Sequence, residues 1–110
     1  MKIVIITPAC NEEKNLPVLI KSMIHQSIIP FEWIIVDDGS KDNTYSFLKN
    51  FKDFRFKGKI IKHRQNYSQS SAILSGITNS QYENVIIMDG DLQNDTSDIH
   101  RLIEKFEKGL

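Results

Sequence analysis

A single cysteine, Cys10, excludes an internal disulfide and a cysteine-rich zinc site. An excess of one charge is also missing. Lys and Arg number 14 and Asp and Glu number 14, so the formal net charge is zero. That balance removes the basic footprint expected of a nucleic-acid binder, and no polybasic run is present to hold anionic lipid. No stretch is long and apolar enough to span a bilayer. The start of the chain carries one Lys and a short apolar run, without the length or small-residue cleavage site of a signal peptide. The two glycosylation sequons, Asn66-Tyr67-Ser68 and Asn94-Asp95-Thr96, therefore read as chance matches. A reducing, cytoplasmic compartment is expected. Repeats, low-complexity segments and linkers are absent as well.

What is present suits one soluble globular domain. Its 110 residues suffice for one real core and are too few for two. The apolar pattern predicts four units of strand followed by helix. Residues 2–7 form a continuous run rich in Ile and Val, as in a strand covered on both faces. A helix is expected from Asn11, as its cap, to about residue 26. Leu16, Leu19, Ile20, Met23 and Ile24 fall at helical spacing in it, and Pro17 sits early, where proline is tolerated. Further strands are expected at 32–36, 59–63 and 84–88. Further helices are expected at 44–52, at 68–79 with Ser68 as cap, and at 97–108 with Asp95 or Thr96 as cap. In the last helix Ile99, Leu102, Ile103 and Phe106 share a face. Alternation of this kind predicts a three-layer α/β/α fold, Rossmann-like, with a mostly parallel sheet and right-handed crossovers. Ligands then bind outside the carboxyl ends of the strands.

Polar residues gather at three of those ends. Met88-Asp89-Gly90-Asp91-Leu92-Gln93 leaves the fourth strand with two carboxylates and an amide, each two residues apart. Oxygen-only ligands at this spacing suit Mg²⁺ or Mn²⁺ rather than zinc. Two carboxylates about 4 Å apart repel by roughly 4 kcal/mol at an effective dielectric near 20. They need a counter-cation, water or a shared proton. A calcium loop of the EF-hand type is excluded, because Asn94 and His100 stand where it requires Gly and Glu.

Asp37-Asp38-Gly39-Ser40 leaves the second strand, where a carboxylate can accept hydrogen bonds from a base or a ribose; a tight turn is the plain alternative, and two adjacent acids directly after a buried strand favour function over it. Thr7-Pro8-Ala9-Cys10-Asn11-Glu12-Glu13 leaves the first strand. Its backbone amides can receive a base or phosphate, and helix capping by Asn11 is again simpler. The polar stretch 64–72 can touch a diphosphate through Arg64 or through amides at its helix start, or it is a solvated loop and cap. His25, His63 and His100 fall on separate elements and read as structural or surface residues. Trp33 and the phenylalanines read as core.

Together, Ile5 to Leu16, Ile34 to Thr44 and Met88 to Asp95 resemble, in order and spacing, the N-terminal half of an inverting glycosyltransferase of family 2 with the GT-A fold. Leu92-Gln93 and the stretch from Arg64 to Gly76 look most like the polyprenyl- and dolichol-phosphate sugar transferases. The resemblance implies a nucleotide-diphospho-sugar donor (UDP or GDP), a polyprenyl-phosphate acceptor and a Mg²⁺ or Mn²⁺ ion. It implies that Pro8, Ala9, Asn11 and Glu13 line the nucleotide pocket and that Asp38 hydrogen-bonds the base. Asp89 and Gly90 would lie against the ribose and diphosphate, and Asp91 with Asp89 and Gln93 would hold the metal.

Three residues depart from the family pattern. Cys10 stands where Tyr is usual, Ser68 where Gly is usual, and Thr96 where Pro is usual. A complete domain of the family is about twice as long, with the acceptor site and catalytic base in its second half. Residues 1–110 are therefore expected to be a single partial domain for donor binding, inactive alone and carrying no catalytic base. In a full-length protein it would work at the cytoplasmic membrane face. Its fourth strand should have a free edge, through which two copies could associate. Alternative readings are a polysaccharide or glycan transferase of the same family, a non-catalytic nucleotide-binding module, and a phosphoreceiver-type domain.

Overall fold

The computed structural model describes residues 3–25, 32–50, 57–80 and 84–89, together with residues 101, 104 and 105. Its elements in chain order are β1 (Ile3–Ala9), α1 (Leu16–Ile24), β2 (Glu32–Asp37), α2 (Thr44–Asn50), β3 (Lys57–Lys62), α3 (Gln69–Thr78) and β4 (Asn84–Ile87). The strands form one sheet in the order β3-β2-β1-β4, and every pairing is parallel. This is the predicted α/β class. Arg101, Glu104 and Lys105 are helical, inside the span expected for the last helix; the rest of that span lies outside the described residues.

The two central strands are buried along their whole length, as their apolar runs 3–6 and 33–36 favour, and Glu32 and Asp37 at the ends of β2 are buried with them. Side chains alternate across the sheet, so each strand feeds two cores. Ile3 and Ile5 join Trp33 and Ile35 on one face, under Leu16, Leu19, Ile20 and Met23 of α1 and Leu48 of α2. Val4 and Ile6 join Ile34 and Val36 on the other, under Ala72 of α3. The register places Ile5 beside Trp33 and Ile6 beside Ile34, which keeps like faces together. Thr7 is also buried, and its hydroxyl accepts the Trp33 indole N–H at 2.8 Å. The helix α3 lies tight on the sheet because Gly76 carries no side chain. A Cβ there would stand 2.4 Å from Ile6 Cγ2.

The edges are handled differently. Lys57, Lys59 and Lys62 line β3, the kind of charged edge that discourages strand addition. At the other edge β4 is half-buried, and Ile87 is exposed.

One predicted boundary is corrected. The first helix begins at Leu16, five residues after Asn11. Asn11 has φ of 56°, a left-handed conformation that helix entry does not use, and its polar groups bond to a different loop. The backbone instead turns at 13–15, where the Asn15 and Leu16 N–H groups both donate to the Glu12 carbonyl.

Candidate active site: three interlocked loops and a fourth strand end

The loops that leave β1, β2 and β3 are bonded to one another at the carboxyl end of the sheet. Between the first two, the Asn11 N–H donates to Ser40 Oγ at 2.9 Å, and the Lys41 N–H returns to Asn11 Oδ1 at 2.7 Å. The Glu12 N–H donates to Thr44 Oγ1 at 2.8 Å, and the Glu13 N–H to Asp42 Oδ2 at 3.3 Å. Asp42 also accepts the Thr44 N–H and hydroxyl, closing the start of α2. Burial works against the charged form of Asp42. The bonds from Thr44 and from the Glu13 N–H outweigh it and hold its pKa below the usual carboxylate value.

The second and third loops meet around Asp38, whose residue is only 3% exposed. Its Oδ1 faces His63 Nδ1 at 2.9 Å and accepts the Tyr67 N–H at 2.9 Å, while Oδ2 accepts the Ser68 N–H at 3.1 Å. Burial again opposes the charge, and the Tyr67, His63 and Ser68 bonds again prevail, so this pKa is also lowered. His63 continues the network through Nε2 to Ser75 Oγ at 2.7 Å and packs edge-on against the Tyr67 ring. Gly39, with φ of +70°, lies flat on the third loop; a Cβ there would stand 2.3 Å from both Asn66 N and Gln65 C. Asn66 in turn donates to Cys10 Sγ at 3.3 Å, tying the third loop back to the first.

Ser68 has φ of 111° and ψ of 159°, a region that side-chain-bearing residues rarely occupy. That conformation is one glycine adopts readily, and the Ser68 hydroxyl caps α3 by accepting the Ser71 N–H at 3.3 Å. At the end of β4 the Met88 N–H donates to the Ile6 carbonyl, which extends the ladder to the edge of the site. Asp89 follows, and its Oδ1 accepts a hydrogen bond from Gln69 Nε2 at 2.9 Å. Asp37, fully buried at the end of β2, bonds through Oδ1 to the Ser40 N–H and hydroxyl; its Oδ2 has no partner among the described residues.

The sequence model for glycosyl transferase family 2 matches residues 4–110. The chain belongs to that family. It is 37% identical over 114 residues to an undecaprenyl-phosphate 4-deoxy-4-formamido-L-arabinose transferase of Proteus mirabilis, across 98% of this chain and 34% of that protein. It is 34% identical over 107 residues to an uncharacterized protein of Methanocaldococcus jannaschii, across 93% of this chain and 45% of that one. The fold is similar to that of S. aureus TarS 1-349, with a TM-score of 0.81 at 21% identity, covering 98% of this chain and 33% of TarS 1-349. Its likeness to the same protein in complex with UDP-GlcNAc gives a TM-score of 0.72 at 22% identity, covering 98% of this chain and 32% of that one. The chain spans about a third of the length of the arabinose transferases it matches.

Of the residues expected to form the donor site of this family 2 domain, Pro8 and Ala9 are buried at the end of β1. Asn11 is exposed, and Glu13 and Asp89 are half-buried. Gly90, Asp91 and Gln93 lie outside the described residues. Among the described residues no group of three or more His, Cys, Asp or Glu side chains could hold a metal ion. One expectation is corrected. The amides of Asn11, Glu12 and Glu13 are not available to a phosphate, because each donates to a side chain of the second loop. Sequence reasoning took in Ser40 and Gln69 only as members of longer polar stretches, did not single out Asp42 or Thr44, and read His63 as structural or surface. Only Asp42-Asn43-Thr44, a cap pattern ahead of a helix, carried a local signal.

Proposed function

We propose that this chain supplies the donor-binding part of a glycosyltransferase that takes a sugar from a nucleotide diphosphate and transfers it, with inversion, to a polyprenyl phosphate. The observation that carries the reading is that Asp38 and Asp89, at the carboxyl ends of β2 and β4 on either side of β1, are bridged by the single segment 67–69. Family membership and the names of the transferase relatives support the reaction class and the lipid acceptor. The UDP-GlcNAc complex of TarS supports a nucleotide-sugar donor.

In this reading Pro8, Ala9, Asn11 and Glu13 line the nucleotide side, and Asp89 and Gly90 lie along the ribose and diphosphate. Asp38 meets the base chiefly by shaping the pocket, since three hydrogen bonds already occupy its carboxylate. The donor set Asp89, Asp91 and Gln93 is made of oxygens, which fits Mg²⁺ or Mn²⁺. Such an ion would neutralise the diphosphate as it leaves.

The acceptor site and base would belong to further chain, and the complete protein would work at the cytoplasmic face of a membrane. No helix of the described residues is long and apolar enough to cross one. The β4 edge would let two copies associate, and a monodisperse monomer in light scattering at high concentration would count against that.

The test is calorimetric titration of UDP and of GDP, each with Mn²⁺ and with chelator, on the chain and on Asp91→Ala. Metal-dependent binding of one nucleotide, lost in the variant, is the expected result. Metal-independent binding that survives the substitution would favour a non-catalytic nucleotide-binding module instead.

A further inference from the structure

Gln69 opens α3 and is exposed, so its side chain has no packing duty. It nonetheless reaches across 20 residues of sequence to place its amide N–H on Asp89 Oδ1 at 2.9 Å. Its own position is fixed from behind. The two preceding N–H groups, of Tyr67 and Ser68, are clamped by the buried Asp38 carboxylate, and the Ser68 hydroxyl closes the first turn of the helix. The side chain therefore projects from a rigid base, and a hydrogen bond to one oxygen sets the rotation of the Asp89 carboxylate.

From this geometry we infer that Gln69 is a positioning residue for Asp89, holding that carboxylate in the orientation in which it serves the cation and diphosphate; the inference rests on the function proposed above. The chemistry of the donor matters. A neutral amide orients a carboxylate without itself cancelling any of its charge. A lysine in the same place would pair with Asp89 and compete with that ion. Outer hydrogen bonds of this kind to metal-ligating side chains are typically worth 10- to 100-fold in metal affinity.

The experiment is calorimetry of the 110-residue chain with whichever of UDP and GDP it binds, in Mn²⁺ and in chelator. It compares the unaltered chain with Gln69→Met, Gln69→Lys, Asp89→Asn and the double variant Gln69→Met/Asp89→Asn. Gln69→Met is expected to weaken Mn²⁺-dependent binding by about 10- to 100-fold. Chelator-measured binding should stay within about threefold, and the melting temperature should not change. Gln69→Lys should flatten the metal dependence, since its ammonium takes the place of the ion beside Asp89. In the Asp89→Asn background Gln69→Met should add no further loss, because its effect passes through that carboxylate.

Unchanged Mn²⁺-dependent affinity in both Gln69 variants would overturn the role. So would equal losses with metal and with chelator, or losses that simply add in the double variant. A chain that binds neither nucleotide in a metal-dependent way would overturn this role and the proposed function together, whereas failure of the Gln69 variants alone leaves that function standing.

Discussion

Asp38 and Asp89 both leave the carboxyl end of a parallel strand, and the protein holds them in opposite ways. Asp38 is buried, and two backbone N–H groups and an imidazole converge on it. Asp89 is half-buried and is reached by a neutral amide from the start of a neighbouring helix. The first carboxylate fastens the second loop to the third; the second takes an orienting hydrogen bond from the start of α3. Position at a strand end is thus not enough to make a carboxylate a ligand.

The contrast breaks most severely at Gly39. Alanine there would meet a positive φ and would drive a Cβ into the Gln65–Asn66 backbone at 2.3 Å. We expect Gly39→Ala to cost at least about 3 kcal/mol, from backbone strain and overpacking together. The urea midpoint reads this directly, and an unchanged midpoint would show that the second and third loops are not interlocked.

Exchanging the carboxylates for amides sharpens the comparison. Asp38→Asn turns an amide N–H toward groups that themselves donate, so at least one buried donor loses its acceptor. The expected loss is about 2–3 kcal/mol of stability. Asp89→Asn should change stability by no more than about 0.5 kcal/mol, as a surface substitution does, while removing metal-dependent nucleotide binding. Equal destabilisation by the two, measured by thermal unfolding, would erase the distinction.

Legibility in the sequence follows the same line. The buried runs of β1 and β2, the two-sided alternation and the Ser68 cap were all readable, because each depends on neighbours in the chain. So was the gathering of polar residues at strand ends, since parallel topology dictates it. Asn11 was misread because its side chain can accept from any N–H, and the one it takes lies 30 residues on. Asp38 read as a residue with a free carboxylate for the same reason: its partners come from residues 63–68, and nothing near it in sequence announces them. Gly39 was recognisable as a turn residue, but the contact that forbids a side chain there was not.

Acid should separate the loops before it empties the core. Asp38 and Asp42 both have folded-state pKa values below the ordinary carboxylate value. For such groups the stabilisation is complete above the unfolded value, about 3.9, and is lost as pH falls through the lower folded values. Stability is therefore expected to hold from neutral pH to about 5 and to decline below about 4. The Asp38→Asn variant should show a shallower decline over the same window. An acid limb of equal slope in the variant would mean that Asp38 is not among the groups responsible.

A small effect of the opposite sign is expected at the residue between the two carboxylates. Ser68 donates its N–H to Asp38, and the next residue, Gln69, reaches Asp89. Its φ of 111° suits glycine, and a side chain there costs about 1–3 kcal/mol. Ser68→Gly removes that strain. It gives up a cap bond, which glycine replaces at a cost of only a few tenths of a kcal/mol, and it adds unfolded-state entropy of roughly 0.5–1 kcal/mol. The balance favours stabilisation by about 0.5–1 kcal/mol. Ser68→Ala keeps the strain and loses the cap, so it should destabilise by about 1 kcal/mol. Opposite signs in chemical denaturation would show that the third loop is held in a glycine-like shape by its bonds to Asp38. Equal losses would mean that the loop relaxes around Ser68, and that the bridge between the two carboxylates is looser than the geometry indicates.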